Sequence, residues 1–194
     1  MSTRDRILHV TSQLMQRQGY EGTAIKQIAK EAQVALSSVY HFFPRGKQEL
    51  AADAVRHADA HFAGMLAEAL ASEDDPADAI VALARVVADY LRDSDWQDGC
   101  PITATALETA GRIPEIQAAV EEAFERWRGL VAEKLRTTGI PEQDVKDLAY
   151  TVINTLDGAE LAATVSRTTE PLEIAGRHLA RLINSYITNR ADVP

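Results

Sequence analysis

At 194 residues the chain can form one large domain, or a small domain joined to a larger one, and its 46% hydrophobic and 25% charged residues exclude wholesale disorder. A single cysteine, Cys100, excludes an internal disulfide framework and a cysteine-cage metal site within one chain, and no apolar run approaches the roughly 20 residues of a membrane helix. The net charge of −9 is unevenly spread: residues 1–47 carry seven basic and three acidic side chains and the remainder 13 and 26, so a small cationic head precedes a large anionic body.

Helical signals dominate the chain. Ser2 or Thr3 can cap a first helix with Asp5 in its first turn, Ile7, Val10, Leu14 and Met15 recur on one face, and Gly19 is a stop. Thr23 is expected to cap a second helix whose inner face is Ile25, Ile28, Ala29 and Ala32. A tight connection, Gln33-Val34-Ala35, leads to a short third helix from Leu36 to Phe43, which Pro44 ends. A long connecting helix runs from about Lys47 to Ala71, and Ser72 to Pro76 breaks it. The next spans about Ala77 to Arg92, and a polar connection containing Trp96 follows. Pro101, Pro114, Pro141 and Pro171 open the last four. The expected fold is all-α, about nine helices: a three-helix N-terminal domain over residues 1–47 and a larger helical domain over residues 48–194. The polar start, Met1 to Asp5, lacks the apolar core of a secretory signal, and a soluble cytoplasmic protein is expected.

Thr23 to Phe43 carries the most information. Two short helices joined by a turn of about three residues meet the requirement of a helix-turn-helix, whose second helix enters the major groove. Val39 and Phe43, four apart, can face the core with Ile25 and Ile28. That leaves Ser37, Ser38, Tyr40 and His41 outward, with hydrogen-bonding groups suited to base edges and phosphates. Lys47, at the start of the next helix, suits a DNA phosphate, as do Thr23 and Lys26. The overall negative charge is no obstacle, because salt screens charges beyond roughly 8–10 Å and only the local potential counts.

The run Thr23-Ala24-Ile25-Lys26-Gln27-Ile28-Ala29-Lys30-Glu31-Ala32, then Val34, then Val39-Tyr40-His41-Phe42-Phe43-Pro44 and Lys47, resembles the DNA-binding signature of the TetR/AcrR family of transcriptional regulators. Two residues, Arg45 and Gly46, between Pro44 and Lys47, and Gly99-Cys100-Pro101 opening a mid-chain helix, are similar to the LmrA/YxaF-like branch. The resemblance implies a homodimer on double-stranded operator DNA, and a helical C-terminal domain that binds a small-molecule effector and releases the DNA. Three positions depart from the family pattern: Gln33 stands where glycine is usual, Ala35 replaces a serine or threonine cap, and Phe42 replaces a polar phosphate-contacting residue.

Aromatic and polar residues of the middle helices are the effector candidates: Phe62, Met65, Tyr90, Trp96, Leu107, Phe124, Trp127, Tyr150 and Asn154. Asn154 and Asp157 sit among apolar residues in sequence and call for a partner. The last two helices carry the dimer candidates Gly158, Ala159, Leu161, Ala162, Val165, Leu172, Ala175, Leu179 and Leu182. His57 and His61 share a helix face, yet ordinary packing explains them as well as a metal does, and no metal or other cofactor is expected. Lone Cys100 reads as a small hydrophobe. The alternatives are a helical-bundle enzyme, for which no di-iron, zinc-protease, serine-elbow or phosphate-loop pattern is present, and a helical adaptor without DNA binding.

Overall fold

The computed structural model describes residues 1–191. Among them the chain forms nine α-helices and no strand: α1 (Thr3–Gly22), α2 (Ile25–Glu31), α3 (Leu36–Phe42), α4 (Lys47–Ala71), α5 (Pro76–Asp93), α6 (Pro101–Thr109), α7 (Pro114–Arg136), α8 (Glu142–Ser166) and α9 (Glu170–Ala191). No helix among the described residues is long and apolar enough to cross a membrane. The helices form two compact units, one from residues 1–62 and 98–123, the other from residues 63–97 and from 124 onward.

In the first unit, local chemistry starts and stops each helix. Ser2 and Asp5 form a reciprocal capping box: the Asp5 N–H donates to Ser2 Oγ (3.1 Å) and the Ser2 N–H to the Asp5 carboxylate (3.2 Å). The same bonds hold the Asp5 carboxyl below the usual carboxylate range. Gly19 stops the regular part of α1, as its φ of 73° takes the chain out of helical geometry. Thr23 does not cap α2; that position belongs to Ala24, which makes no side-chain cap bond. The kink at Gly19 carries Thr23 back onto α1, where its hydroxyl donates to the Gly19 carbonyl at 2.7 Å. Ile7, Leu8 and Leu14 of α1 then enclose one core with Ile28, Ala29, Val39, Phe43 and Leu50, and Val34 and Phe42 pack at its edge.

Gln33 adopts the left-handed conformation, at φ 55°, that the α2–α3 turn demands. The Val34 N–H bonds to Ala29 O (2.9 Å) and the Gln33 N–H to Lys30 O (3.1 Å), which completes a Schellman closure of α2. An L-residue there costs on the order of 1 kcal/mol relative to glycine. Gln33→Gly is therefore expected to leave Tm unchanged or raise it by up to about 2–4 °C, measured by thermal melting. A clear drop would show that the turn draws stability from the glutamine side chain.

The second unit is organised around α5. Asp75 caps it by accepting the Ala77 and Asp78 N–H groups (2.8 and 3.1 Å), and Pro76 stands at its first turn. Ile80, Leu83, Ala84, Val87 and Leu91 are buried, and α5 packs against α8 and α9, which also pack on each other. Gly176 lets α5 and α9 approach closely, since a Cβ there would stand 2.9 Å from that of Ala84. Arg167 ends α8 in the left-handed conformation and pairs with Asp95 at 2.6 Å.

Candidate nucleic-acid interface

The buried face of α3 is Val39, with Phe43 just past its end, and both are about 1% exposed. With that face committed to the core, the opposite face of the helix is left to solvent. Ser37 and His41 are exposed, Tyr40 is 48% exposed and Ser38 is partly so. Lys26 of α2 is also exposed. Phe42 packs on the core edge and against the His41 ring edge-on, with centroids 5.2 Å apart, so it serves packing where the family pattern has a polar group. Thr23 is different. It is 1% exposed and its hydroxyl is spent on Gly19, so it offers nothing at the surface.

Lys47 opens α4 and is held by two groups of the α1 kink. Its ammonium stands 4.3 Å from the centroid of the Tyr20 ring and 3.4 Å from the Glu21 carbonyl oxygen. Burial first, and the Glu21 charge second, push the Tyr20 phenol above its ordinary range, so the ring under the lysine stays neutral. Tyr20 was invisible as a site residue in the sequence, where its only signal is its place beside Gly19. Arg4 pairs with Asp53 (2.6 Å) and lies over the Phe43 ring. Arg45 reaches Glu115 at 2.7 Å.

The effector candidates are divided between the two units. Phe62 and Leu107 belong to the first unit, and Leu107 is 76% exposed. The other candidates fall in the second unit. There Trp127 is buried and meets the Phe124 ring edge-on (5.1 Å), Arg128 lies over Tyr150 (4.4 Å), and Tyr90, Tyr150 and Asn154 are exposed. Met65 and Trp96 are half-buried. A cleft of about 540 Å³ between α5 and α9 is lined instead by Val81, Ala84, Arg85, Arg92, Glu173 and Arg177, among others. None of the sequence candidates reaches it.

The dimer candidates divide by helix. On α8, Gly158, Leu161, Ala162 and Val165 are exposed, and Ala159 is partly so. Leu172, Ala175 and Leu179 of α9 are buried within the protomer, and Leu182 is half-buried. The apolar stripe of α9 is consumed by α5 and α8, which the sequence pattern could not reveal. Asn154 has no apolar enclosure; it lies on the same exposed face of α8. His57 packs edge-to-face with His9 of α1 (6.4 Å), and burial followed by the His9 charge holds it below its ordinary pKa. Among the described residues no group of three or more His, Cys, Asp or Glu side chains is placed to hold a metal ion. Cys100 is half-buried at the cap position of α6.

Residues 7–54 match the family described as bacterial regulatory proteins, tetR family, and residues 76–178 match the transcriptional regulator LmrA/YxaF-like C-terminal domain. The HTH-type transcriptional regulator LmrA of Bacillus subtilis is 32% identical over 171 residues, covering 88% of this chain and 90% of that protein. A TetR transcriptional regulator from Chloroflexus aurantiacus has a similar crystal structure, with a TM-score of 0.78 and 29% identity over 94% of each chain. The TetR-family regulator CifR, solved as a cysteine mutant complexed with 26-bp double-strand operator DNA, shares the fold with a TM-score of 0.77 at 20% identity, over 92% of this chain and 95% of that one.

Proposed function

Since the chain belongs to the TetR family of bacterial regulatory proteins, with an LmrA/YxaF-like C-terminal domain, we propose that it is a cytoplasmic, ligand-responsive transcriptional repressor and not an enzyme. The observation that carries the reading is the division of α3 into a core face, Val39, and a free polar face, Ser37, Ser38, Tyr40 and His41. A short helix anchored in this way can enter the major groove, where hydrogen-bonding side chains distinguish base pairs. Lys26 and Lys47 then meet phosphates, which fix register without reading sequence.

One head offers too few contacts for specific binding. A twofold pair places two recognition helices on successive major grooves, roughly 34–36 Å apart, and so reads a palindrome. The exposed apolar face of α8 supports a homodimer. The DNA-bound relative of the same fold supports the operator as partner. We assign DNA contact to residues 1–47, and dimerisation and effector binding to residues 48–194. Effector binding in the second segment lowers operator affinity, and a coupling of about 1–3 kcal/mol corresponds to roughly 5–150-fold.

The test is a gel-shift titration of the protein on DNA from its own promoter region over a salt series. Each phosphate neutralised contributes about −0.9 to the slope of log affinity against log salt. A steep negative slope is expected, and absent or salt-independent binding would sink the assignment.

A further inference from the structure

Within the first unit, α6 is fastened along the end of α1 by polar contacts. Gln16 Nε2 donates to the Gly99 carbonyl (2.5 Å), and the Arg17 guanidinium makes a paired bond to Asp98 (2.8 and 3.2 Å). Arg112 bridges the Glu21 carboxylate (2.8 Å) and the Glu108 carbonyl (3.0 Å). A further contact is of another kind. The Glu108 carboxylate accepts the backbone N–H of Glu21 at 2.9 Å, two residues beyond the Gly19 kink. It also occupies the space of a side chain: a Cβ on Gly19 would lie 1.8 Å from Glu108 Oε1. Gly19 thus serves two ends, its positive φ and the seat of a carboxylate.

The kink carries the two groups on which Lys47 rests, the Tyr20 ring and the Glu21 carbonyl. Glu108 therefore connects to Lys47 through a backbone segment of three residues, by contacts of 2.9 Å at one end and 3.4 and 4.3 Å at the other, all inside one compact unit. We infer that Glu108 is a positioning residue for DNA binding: by fixing the Gly19–Glu21 kink, its carboxylate holds the Lys47 ammonium at the head of α4 for a phosphate. The inference rests on the reading of the first unit as a DNA-binding head.

Simple electrostatics makes the opposite forecast, which gives the test its sign. A carboxylate in a head that binds a polyanion is repulsive, so removing it should tighten binding. If Glu108 positions Lys47, removing it weakens binding instead. Full-length Glu108→Ala is expected to bind promoter DNA roughly tenfold more weakly, with a salt slope smaller by about 1.8, the share of one phosphate in each protomer of the dimer. The loss should vanish when Lys47 is already alanine, because the two residues then act through one contact. Glu108→Asp keeps the charge but shortens the reach, so it should also weaken binding; it decides the matter should the alanine variant melt below the assay temperature. Asp98→Asn removes a carboxylate from the same seam without touching the kink, and should hold or tighten affinity. Unchanged or tighter binding by Glu108→Ala and Glu108→Asp, losses that add to that of Lys47→Ala, or an equal loss in Asp98→Asn would each overturn the inference. A native protein that binds no DNA would fail the head itself, a result distinct from all of these.

Discussion

The Tyr40→Ala, Lys47→Ala double variant is expected to lose operator affinity by three or more orders of magnitude while keeping its fold. Tyr40 supplies a long, half-exposed side chain on the free face of α3, and Lys47 a cation at the head of α4. Contacts of these two kinds are worth roughly 1–2 kcal/mol each, and a dimer makes each of them twice, so the total loss is about 4–8 kcal/mol. Neither residue belongs to the core that Val39, Phe43, Ile28 and Leu50 build. The structural cost is confined to the two contacts of the Lys47 ammonium, with the Tyr20 ring and the Glu21 carbonyl, each worth on the order of 1 kcal/mol. Gel shift at fixed salt and a melting curve on the same sample separate the two effects. Binding equal to that of the native chain would remove α3 and Lys47 from the interface.

A second large effect is expected at α8. Leu161 and Val165, 59% and 77% exposed, stand one helical turn apart on a face that also includes Asn154, Gly158 and Ala162. A twofold interface there would bury these side chains, and each substitution would enter it twice. Leu161→Glu with Val165→Glu would place four carboxylates in the desolvated centre, where unpaired charge costs several kcal/mol per ion. The native protein is expected to sediment as a dimer, and the variant at the same concentration as a monomer. It should also lose cooperative binding to the palindrome, since one head cannot span two grooves. Its monomer fold should be unaffected, because both positions are exposed in the protomer. A variant that remains dimeric would move the interface off α8.

Much of the head was legible along the chain. The apolar periodicity of residues 7–15, 25–32 and 39–43 named its core, and Gln33 occupied the left-handed turn that the helix spacing required. A cap at Ser2 or Thr3 with Asp5 in the first turn, and the long helix starting at Lys47, also followed from local pattern; that Ser2 and Asp5 close a reciprocal box came from the structure. These are short-range features: a cap, a turn and a helix face each depend on residues within a few positions.

What failed had one cause. Thr23 has the chemistry of a cap, but the Gly19 kink folded it inward to a carbonyl of α1. Leu172, Ala175 and Leu179 form an apolar stripe that would serve a partner as well as a core, and α5 and α8 took it. Asn154 sat among apolar neighbours in sequence and proved to lie on a solvent face of α8. Glu108, 87 positions from the N–H it accepts, left no trace in any local pattern.

By itself, then, the order of residues determined the helices, their ends and the polar face of α3, because hydrogen-bond closure and apolar period act within a turn or two. Only the tertiary structure decided which apolar face met which neighbour, and that the kink of α1 turned Thr23 inward and set Tyr20 against Lys47. Burial is indifferent to which partner excludes the water, so a periodic stripe states that a face will be covered and leaves to the packing what covers it.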